Sequence, residues 1–266
     1  MGEFLEVQGL RKEFAEHGNL VAIESITFSV EQGDFVSIVG PSGCGKTTLM
    51  RCIGGLSRPS GGNIMLKGKK VTGPPEGVVM VFQDYSKSLL PWRSVLGNVT
   101  LGLESIGHLS PRQRIDRAKQ TLEAVSVSGF ESYYPRQLSG GMQQRVAIAR
   151  ALAFQPEVLL MDEPFASVDA QTRGELEDVV LQIWKKYAQT VLFVTHDIEE
   201  AIYLATKVVV IGARPSSVVD AFPVELGPNR DQLTTREHRH FLDLRQRVYR
   251  AIRKEKDASL TLQPAR

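Results

Sequence analysis

The sequence predicts an α/β fold in which helices pack on a largely parallel sheet. In the second half of the chain, short aliphatic runs at 158–161, 191–194 and 208–211 alternate with segments of helical pattern. Earlier, a run typical of a buried strand at 35–39 leads directly into a glycine-rich loop and then a helix. Strands that alternate with helices in this way are typical of a parallel sheet with helices on its faces.

The composition of the chain indicates an ordinary soluble globular protein. Its 266 residues suit one large α/β domain, or a core with a sub-domain and a tail. The net charge of +2 gives no argument for nucleic acid as a partner. No apolar run approaches the roughly 18–20 residues that a spanning helix needs, so we expect any membrane role to come through a partner. Cys44 and Cys52 fit no metal or redox spacing, which is typical of a reducing cytosol.

Two further regions complete the predicted architecture. Residues 4–30 read as two short strands around a polar turn at 17–19. The region from Ser86 to Phe154 is mostly helical in composition. Ser110, Pro111 and Gln113 make a helix start there, with a capping box and proline at the first position.

The strand at 35–39 ends in a loop that fits the phosphate-loop template G-x-x-x-x-G-K-[ST]. Glycines let its backbone N–H groups converge on phosphates, and the helix at 47–53 adds a favourable potential for an anion. We expect Lys46 to reach the β- and γ-phosphates and the Thr47 hydroxyl to ligate Mg²⁺. A chance match is the alternative, but the strand before and the helix after argue against it. The loop consists of Gly40, Pro41, Ser42, Gly43, Cys44, Gly45, Lys46 and Thr47.

Two carboxylates, Asp162 and Glu163, close the hydrophobic strand at 158–161. Carboxylates at the end of a buried strand cost free energy unless they face a ligand or a cation. We therefore expect Asp162 to hold the Mg²⁺ shell and Glu163 to polarise an attacking water as general base. The alternative is that both residues simply mark where the strand reaches solvent.

A third motif, LSGGMQQ at 138–144, begins another helix. Ser139, Gly140 and Gly141 leave backbone amides available at its N-terminus, and such a helix start can bind an anion. Taken alone this pattern is only moderately specific, because many capped helix starts look similar.

In this order the three motifs resemble the ATP-binding-cassette (ABC) ATPases, and the resemblance extends over about residues 4–211. It implies a RecA-like P-loop core with a small antiparallel β sub-domain and an inserted helical sub-domain. In such proteins the segment at 138–144 closes on the γ-phosphate of the ATP held by a second subunit. Two ATP molecules are then shared across a head-to-tail dimer.

The resemblance assigns roles to five further residues. Thr48 corresponds to a hydroxyl that contacts the α-phosphate, and Phe14 to an aromatic that stacks on adenine. Gln83 resembles the Q-loop glutamine, which senses Mg²⁺ and the membrane subunit, and His196 resembles the switch histidine at the γ-phosphate. Asp169 resembles the D-loop aspartate at the dimer interface, although the usual Ser-Ala-Leu-Asp reads Ala-Ser-Val-Asp here. The alternative for Phe14 is an ordinary core residue. A histidine at a strand end is by itself more often a plain polar terminus, and only the order of the motifs favours the switch role for His196.

The site implied by the resemblance uses ATP and Mg²⁺ in a cycle of dimer closure and reopening that drives a membrane permease. The residues expected to act in hydrolysis are Lys46, Glu163 and His196. The residues expected at the metal are Thr47, Gln83 and Asp162.

The predicted domain organisation follows from the same resemblance. An ABC ATPase domain is expected over 1–213, with its helical sub-domain at about 86–155. The remaining segment, 214–266, is expected to be a C-terminal extension that prolines interrupt and that contains a basic helix at 241–252.

The segment from Gln83 to Trp92 is similar to that of nitrate, sulfonate and taurine importers. In that class it forms part of the groove that receives the permease, and Leu90 and Trp92 are our candidates for the contact, though both also suit a core. The expected partners are a second ATPase subunit (identical or different), permease subunits and, indirectly, an extracytoplasmic solute-binding protein. The expected location is the cytoplasmic face of the membrane, as a peripheral subunit.

Two other classes of protein remain as alternatives. One is a non-transport ABC ATPase of DNA repair or translation, but the long coiled coil, zinc modules or second cassette of those proteins do not occur here. The other is a phosphate-loop kinase or GTPase, which needs neither the motif at 138–144 nor His196.

Overall fold

The computed structural model describes residues 3–15, 20–83, 88–166 and 168–261, with 255–261 described by backbone alone. The predicted turn at 17–19, part of the segment from Gln83 to Trp92, and Ser167 of the D-loop lie outside the described residues. Numbered along the chain, the elements are β1 (Leu5–Phe14), β2 (Leu20–Val30), β3 (Phe35–Val39), α1 (Lys46–Ile53), β4 (Gly61–Leu66), β5 (Lys69–Lys70), β6 (Val78–Val81), α2 (Val95–Leu101), α3 (Pro111–Ala124), α4 (Gly140–Ala153), β7 (Val158–Asp162), α5 (Ala170–Tyr187), β8 (Thr190–Val194), α6 (Ile198–Leu204), β9 (Lys207–Ile211), β10 (Ser216–Pro223), α7 (Thr234–Glu237) and α8 (Arg239–Thr261).

The chain forms two compact units. The first contains Met1–Glu76 and Ala188–Arg266, and the second contains Gly77–Tyr187. The two units are defined by which residues pack against one another. The domain boundary at residue 213 and the helical sub-domain at about 86–155 stay predictions.

The first unit is built on a mixed sheet with strand order β5-β4-β1-β2-β10-β9-β3-β8. Strand β3 pairs in parallel with both β8 and β9, as the alternation of strands and helices predicts. All five residues of β3 and of β8 are buried, and the rings of Phe35 and Phe193 lie 5.8 Å apart between them. This parallel core carries the phosphate loop at the carboxyl end of β3.

The antiparallel part of the same sheet contains β1, β2, β4 and β5. Strands β1 and β2 were expected to be short, which is wrong: they have 10 and 11 residues. Register shifts along β1 interrupt its pairing with β2, and they break up the regular alternation of apolar and polar residues that would have marked one long strand.

Strand β10 has no counterpart in the sequence analysis. It pairs antiparallel with β9 and parallel with β2, and so joins the two parts of the sheet. Pro215 precedes it and Pro223 is its last residue, and both read as breakers in the sequence, although proline is tolerated at strand ends. Ser216 is fully buried, and its hydroxyl donates to the Ala22 carbonyl oxygen at 3.1 Å.

In the second unit, β6 and β7 pair in parallel, and α2 and α3 pack against α4. The predicted capping box of α3 is confirmed. The Gln113 N–H donates to Ser110 Oγ at 3.3 Å, and the Ser110 N–H donates to Gln113 Oε1 at 2.8 Å. No helix in the described part of the chain is both long and apolar enough to cross a membrane.

Candidate functional site

The phosphate loop lies between β3 and α1 and requires glycine at several positions. A Cβ atom on Gly40 would lie 2.4 Å from the carbonyl oxygen of Ile211 in β9, closer than atoms can approach. Gly43 and Gly45 have φ angles of +76° and +100°, which favour glycine. The loop therefore has the backbone form that the sequence template demands.

Lys46 is the first residue of α1 and is buried, with 5% of its surface exposed. Its Nζ donates to the carbonyl oxygens of Gly40 at 2.9 Å and of Pro41 at 3.1 Å, so its charge lies within the loop. The N-cap residue, Gly45, makes no side-chain capping bond to the first turn of α1. A helix start without a side-chain cap and with a lysine inside the preceding loop suits a phosphate group.

Two other groups affect the electrostatics of the loop. Burial raises the pKa of the Cys44 thiol, and the nearby Lys46 charge opposes that rise only partly. Arg214, in the turn after β9, donates from Nη2 to the Gly43 carbonyl oxygen at 2.8 Å. Sequence analysis missed Arg214 because it belongs to no motif and lies 171 residues from Gly43.

The carboxylates at the end of β7 lie in the second unit. Asp162 is buried, with 2% exposure, and Glu163 follows it with a φ angle of +43°. A residue other than glycine in this left-handed region costs of order 1–3 kcal/mol, and such strain concentrates at functional sites. Gln83 Nε2 donates to Glu163 Oε2 at 3.1 Å, so the structure brings these two candidate residues together.

The helix start at 139–141 also lies in the second unit. Ser139 is the N-cap of α4, and its Oγ accepts from the Met142 N–H at 3.3 Å. Asp169 accepts from the Thr172 N–H at 3.0 Å and from the Thr172 hydroxyl at 2.7 Å. These bonds lower the pKa of Asp169. Thr172 in turn lies against Gly141, so the helix start and the D-loop residue meet through one side chain.

The remaining candidates lie at strand ends or on the surface. His196 is exposed and follows β8 in the first unit, and Phe14 is half-buried at the end of β1. The Lys12 Nζ lies 5.1 Å from the centre of the Phe14 ring. In the second unit, Trp92 is 72% exposed, so a core role for it is wrong. Leu90 is half-buried, and its N–H donates to Asn98 Oδ1 at 2.8 Å.

The candidate residues thus divide between the two units. The first holds Phe14, the phosphate loop through Thr48, and His196, and the second holds Gln83, Ser139, Gly140, Gly141, Asp162, Glu163 and Asp169.

Comparisons with known proteins extend these observations. The family described as "ABC transporter" matches residues 23–166, more than half of the chain. An uncharacterized ABC transporter ATP-binding protein of Methanocaldococcus jannaschii is 47% identical, covering 94% of this chain and 92% of its own length. The nitrate import ATP-binding protein of Synechocystis is 44% identical, with coverage of 84% and 83%. The aliphatic sulfonates import ATP-binding protein of Bacillus cereus is 43% identical, with coverage of 80% and 83%.

Among solved structures, an ATP-binding cassette captured as a dimer after hydrolysis, bound to ADP and Pi, is similar with a TM-score of 0.73. It is 29% identical, and the match covers 83% of this chain and 99% of that one. The predicted fold class, a P-loop α/β cassette, is therefore confirmed.

The fold and the phosphate loop define a nucleotide-binding α/β protein of the cassette type. The chain belongs to the ABC transporter family, as one of its ATP-binding subunits with ATPase activity coupled to transport.

Proposed function

We propose that this chain is the ATP-hydrolysing subunit of an importer for nitrate, a sulfonate such as taurine, or a similar small solute. The observation that carries the proposal is the identity of 43–44% with nitrate and sulfonate import ATP-binding proteins over more than four fifths of their length. The subunit acts at the cytoplasmic face of the membrane. Its permease and an extracytoplasmic binding protein select the solute.

The phosphate loop binds ATP in this proposal. Its backbone amides and the first turn of α1 hold the phosphates, with Thr48 at the α-phosphate and Phe14 against adenine. Lys46 moves from the carbonyl oxygens of Gly40 and Pro41 to the β- and γ-phosphates. The fit rests on the glycine-dependent backbone and on a helix start without a side-chain cap.

Hydrolysis requires a water activated near the γ-phosphate. Glu163 takes up the water proton as general base, and His196 contacts the γ-phosphate. Thr47, Gln83 and Asp162 would hold Mg²⁺, which supplies neutralising charge for the phosphate oxygens when bound. The position of Asp162 supports this role, because it lies buried, with 2% exposure, at the carboxyl end of β7 directly before the proposed general base.

A second ATPase subunit, identical or different, completes each site. Ser139, Gly140 and Gly141 present the N-terminus of α4 to the nucleotide of the partner, and Asp169 lies at the interface. Two observations within this chain support the proposed interface. Helix α4 begins at an exposed Ser139-Gly140 pair, and Thr172 links this helix start to Asp169.

Coupling to the permease runs through the Q-loop. The hydrogen bond from Gln83 to Glu163 joins the proposed general base to the segment that the permease contacts. The exposed Trp92 indole supports the same role, since large exposed aromatic side chains are enriched at interfaces.

Uptake of labelled solute by cells tests this function. We expect Lys46→Ala to abolish uptake of one of nitrate, taurine or an alkanesulfonate, because the variant lacks the ammonium group that contacts the phosphates. Lys70→Ala, which removes the same charge from an exposed strand position, should leave uptake unchanged. Normal uptake of all three anions in the Lys46→Ala cells would refute the proposed class of solute.

A further inference from the structure

The short helix α6 begins two residues after His196 and has only seven residues. A helix of this length is not stable by itself and depends on contacts with its surroundings. Its N-terminus is capped by Asp197, whose Oδ1 accepts from the Glu199 N–H at 2.9 Å and the Glu200 N–H at 3.2 Å. The Asp197 N–H also donates to Thr195 Oγ1 at 3.0 Å. The backbone position of His196 is therefore tied to that of α6.

The C-terminal segment of the same unit holds the first turn of α6. Glu199 accepts from Arg236 Nη1 at 3.2 Å and from Arg245 Nη1 at 2.8 Å, each carboxylate oxygen binding one guanidinium. Arg236 also stacks over the Tyr203 ring, with its Cζ 5.1 Å from the ring centre. One carboxylate in α6 is thus fastened to α7 and to α8.

The same segment holds the last turn of α6. Arg230 donates from Nη1 to the Tyr203 carbonyl oxygen and from Nη2 to the Ala205 carbonyl oxygen at 2.8 Å. Burial lowers the pKa of Arg230 to about 10, so the guanidinium stays charged at neutral pH. A cation at the C-terminal carbonyl groups of a helix stabilises it.

Helix α8 also shares a surface with His196. A groove of about 640 Å³ is lined on one side by His196 and the start of α6, and on the other by Arg245, Gln246 and Tyr249. The half-exposed pair of Glu199 and Arg245 contributes little to folding, because solvent screens ion pairs at such exposure. Its main effect is therefore on where α6 lies rather than on whether the chain folds.

We propose that Arg230, Arg236 and Arg245 form a C-terminal clamp whose role is to position His196 for hydrolysis. The clamp fixes α6 at both ends, and α6 in turn fixes the backbone that leads out of β8 to His196. The three arginines are positioning residues, since none of them needs to touch ATP. The inference rests on the proposed role of His196 at the γ-phosphate.

The test measures steady-state ATPase activity of the full chain. We expect Arg245→Ala to lower kcat by roughly 2- to 12-fold, the effect of losing one hydrogen bond, with KM for ATP within about twofold of wild type. Arg245→Lys keeps the charge and should restore most of kcat. Arg250→Ala removes the same charge from an exposed position of α8 and is the matched control. Thermal unfolding of every variant checks that the fold is retained.

A double-variant cycle with His196→Ala separates positioning from general destabilisation. If Arg245 acts through His196, then Arg245→Ala should cause no further loss of kcat in the His196→Ala background. An equal fractional loss in both backgrounds would overturn the inference, as would Arg245→Ala behaving like Arg250→Ala in the wild-type background. If His196→Ala itself leaves kcat unchanged, the proposed role of His196 fails, and the inference fails with it.

Discussion

The contact between Gly141 and Thr172 permits a prediction worked from geometry. A Cβ atom at position 141 would lie 2.6 Å from Thr172 Cγ2, well inside the distance at which carbon atoms repel. Thr172 cannot rotate away cheaply, because its hydroxyl donates to Asp169 Oδ2 at 2.7 Å. Gly141→Ala therefore has two opposing effects on α4.

The first effect is favourable, since alanine in a helix is better than glycine by about 1 kcal/mol. The second is overpacking, which costs about 1–3 kcal/mol. We expect Gly141→Ala to lower the free energy of unfolding by up to about 2 kcal/mol on balance. In a Thr172→Ser background the clashing methyl group is absent and the bond to Asp169 is kept. There, Gly141→Ala should stabilise the protein.

Urea unfolding followed by tryptophan fluorescence is the appropriate assay. The chain has two tryptophans, Trp92 and Trp184, and both lie in the unit that contains Gly141. The expected sign reversal between the two backgrounds reports the contact directly. If Gly141→Ala stabilises the protein equally in both backgrounds, Thr172 does not limit the space at Gly141 and the packing argument is refuted.

Three further predictions concern the phosphate loop and the helix α1 that follows it. Gly40→Ala should sharply weaken nucleotide binding, because its Cβ would meet the Ile211 carbonyl at 2.4 Å; an unchanged Kd for ATP by fluorescence titration would contradict this. Burial raises the pKa of both Cys44 and Cys52 above the usual value near 9.0, so the folded thiols should react much more slowly than the unfolded ones with a thiol reagent at pH 8. The same shift predicts that their contribution to stability is lost as pH rises above about 9, which a pH series of unfolding curves can check.

Local sequence patterns predict much of the fold correctly. The strand at 35–39, the helix after the phosphate loop and the start of α3 at Ser110 all depend on neighbouring residues, and the structure confirms each of them. The phosphate loop, the Asp162-Glu163 pair and the helix start at 139–141 follow from motifs of the same local kind. The other candidate residues were assigned by the resemblance to ABC ATPases.

The contacts between distant residues could not be predicted in this way. Gln83 and Glu163 are 80 residues apart, and Glu199 and Arg245 are 46 residues apart, so no periodic pattern connects them. Strand β10 was missed for a related reason, since its pairing with β2 and β9 depends on the tertiary arrangement. The prolines at its two ends were the local signal, and they indicated a break.

The most direct test of the account is the oligomeric state of Glu163→Gln in ATP, measured by light scattering. The substitution removes the proposed general base but keeps a side-chain oxygen that can accept from Gln83. We predict a stable dimer at saturating ATP and a monomer in ADP, because ATP closes two cassettes and cannot be hydrolysed. A monomer at saturating ATP would contradict the proposal that Glu163 drives reopening of an ATP-closed dimer.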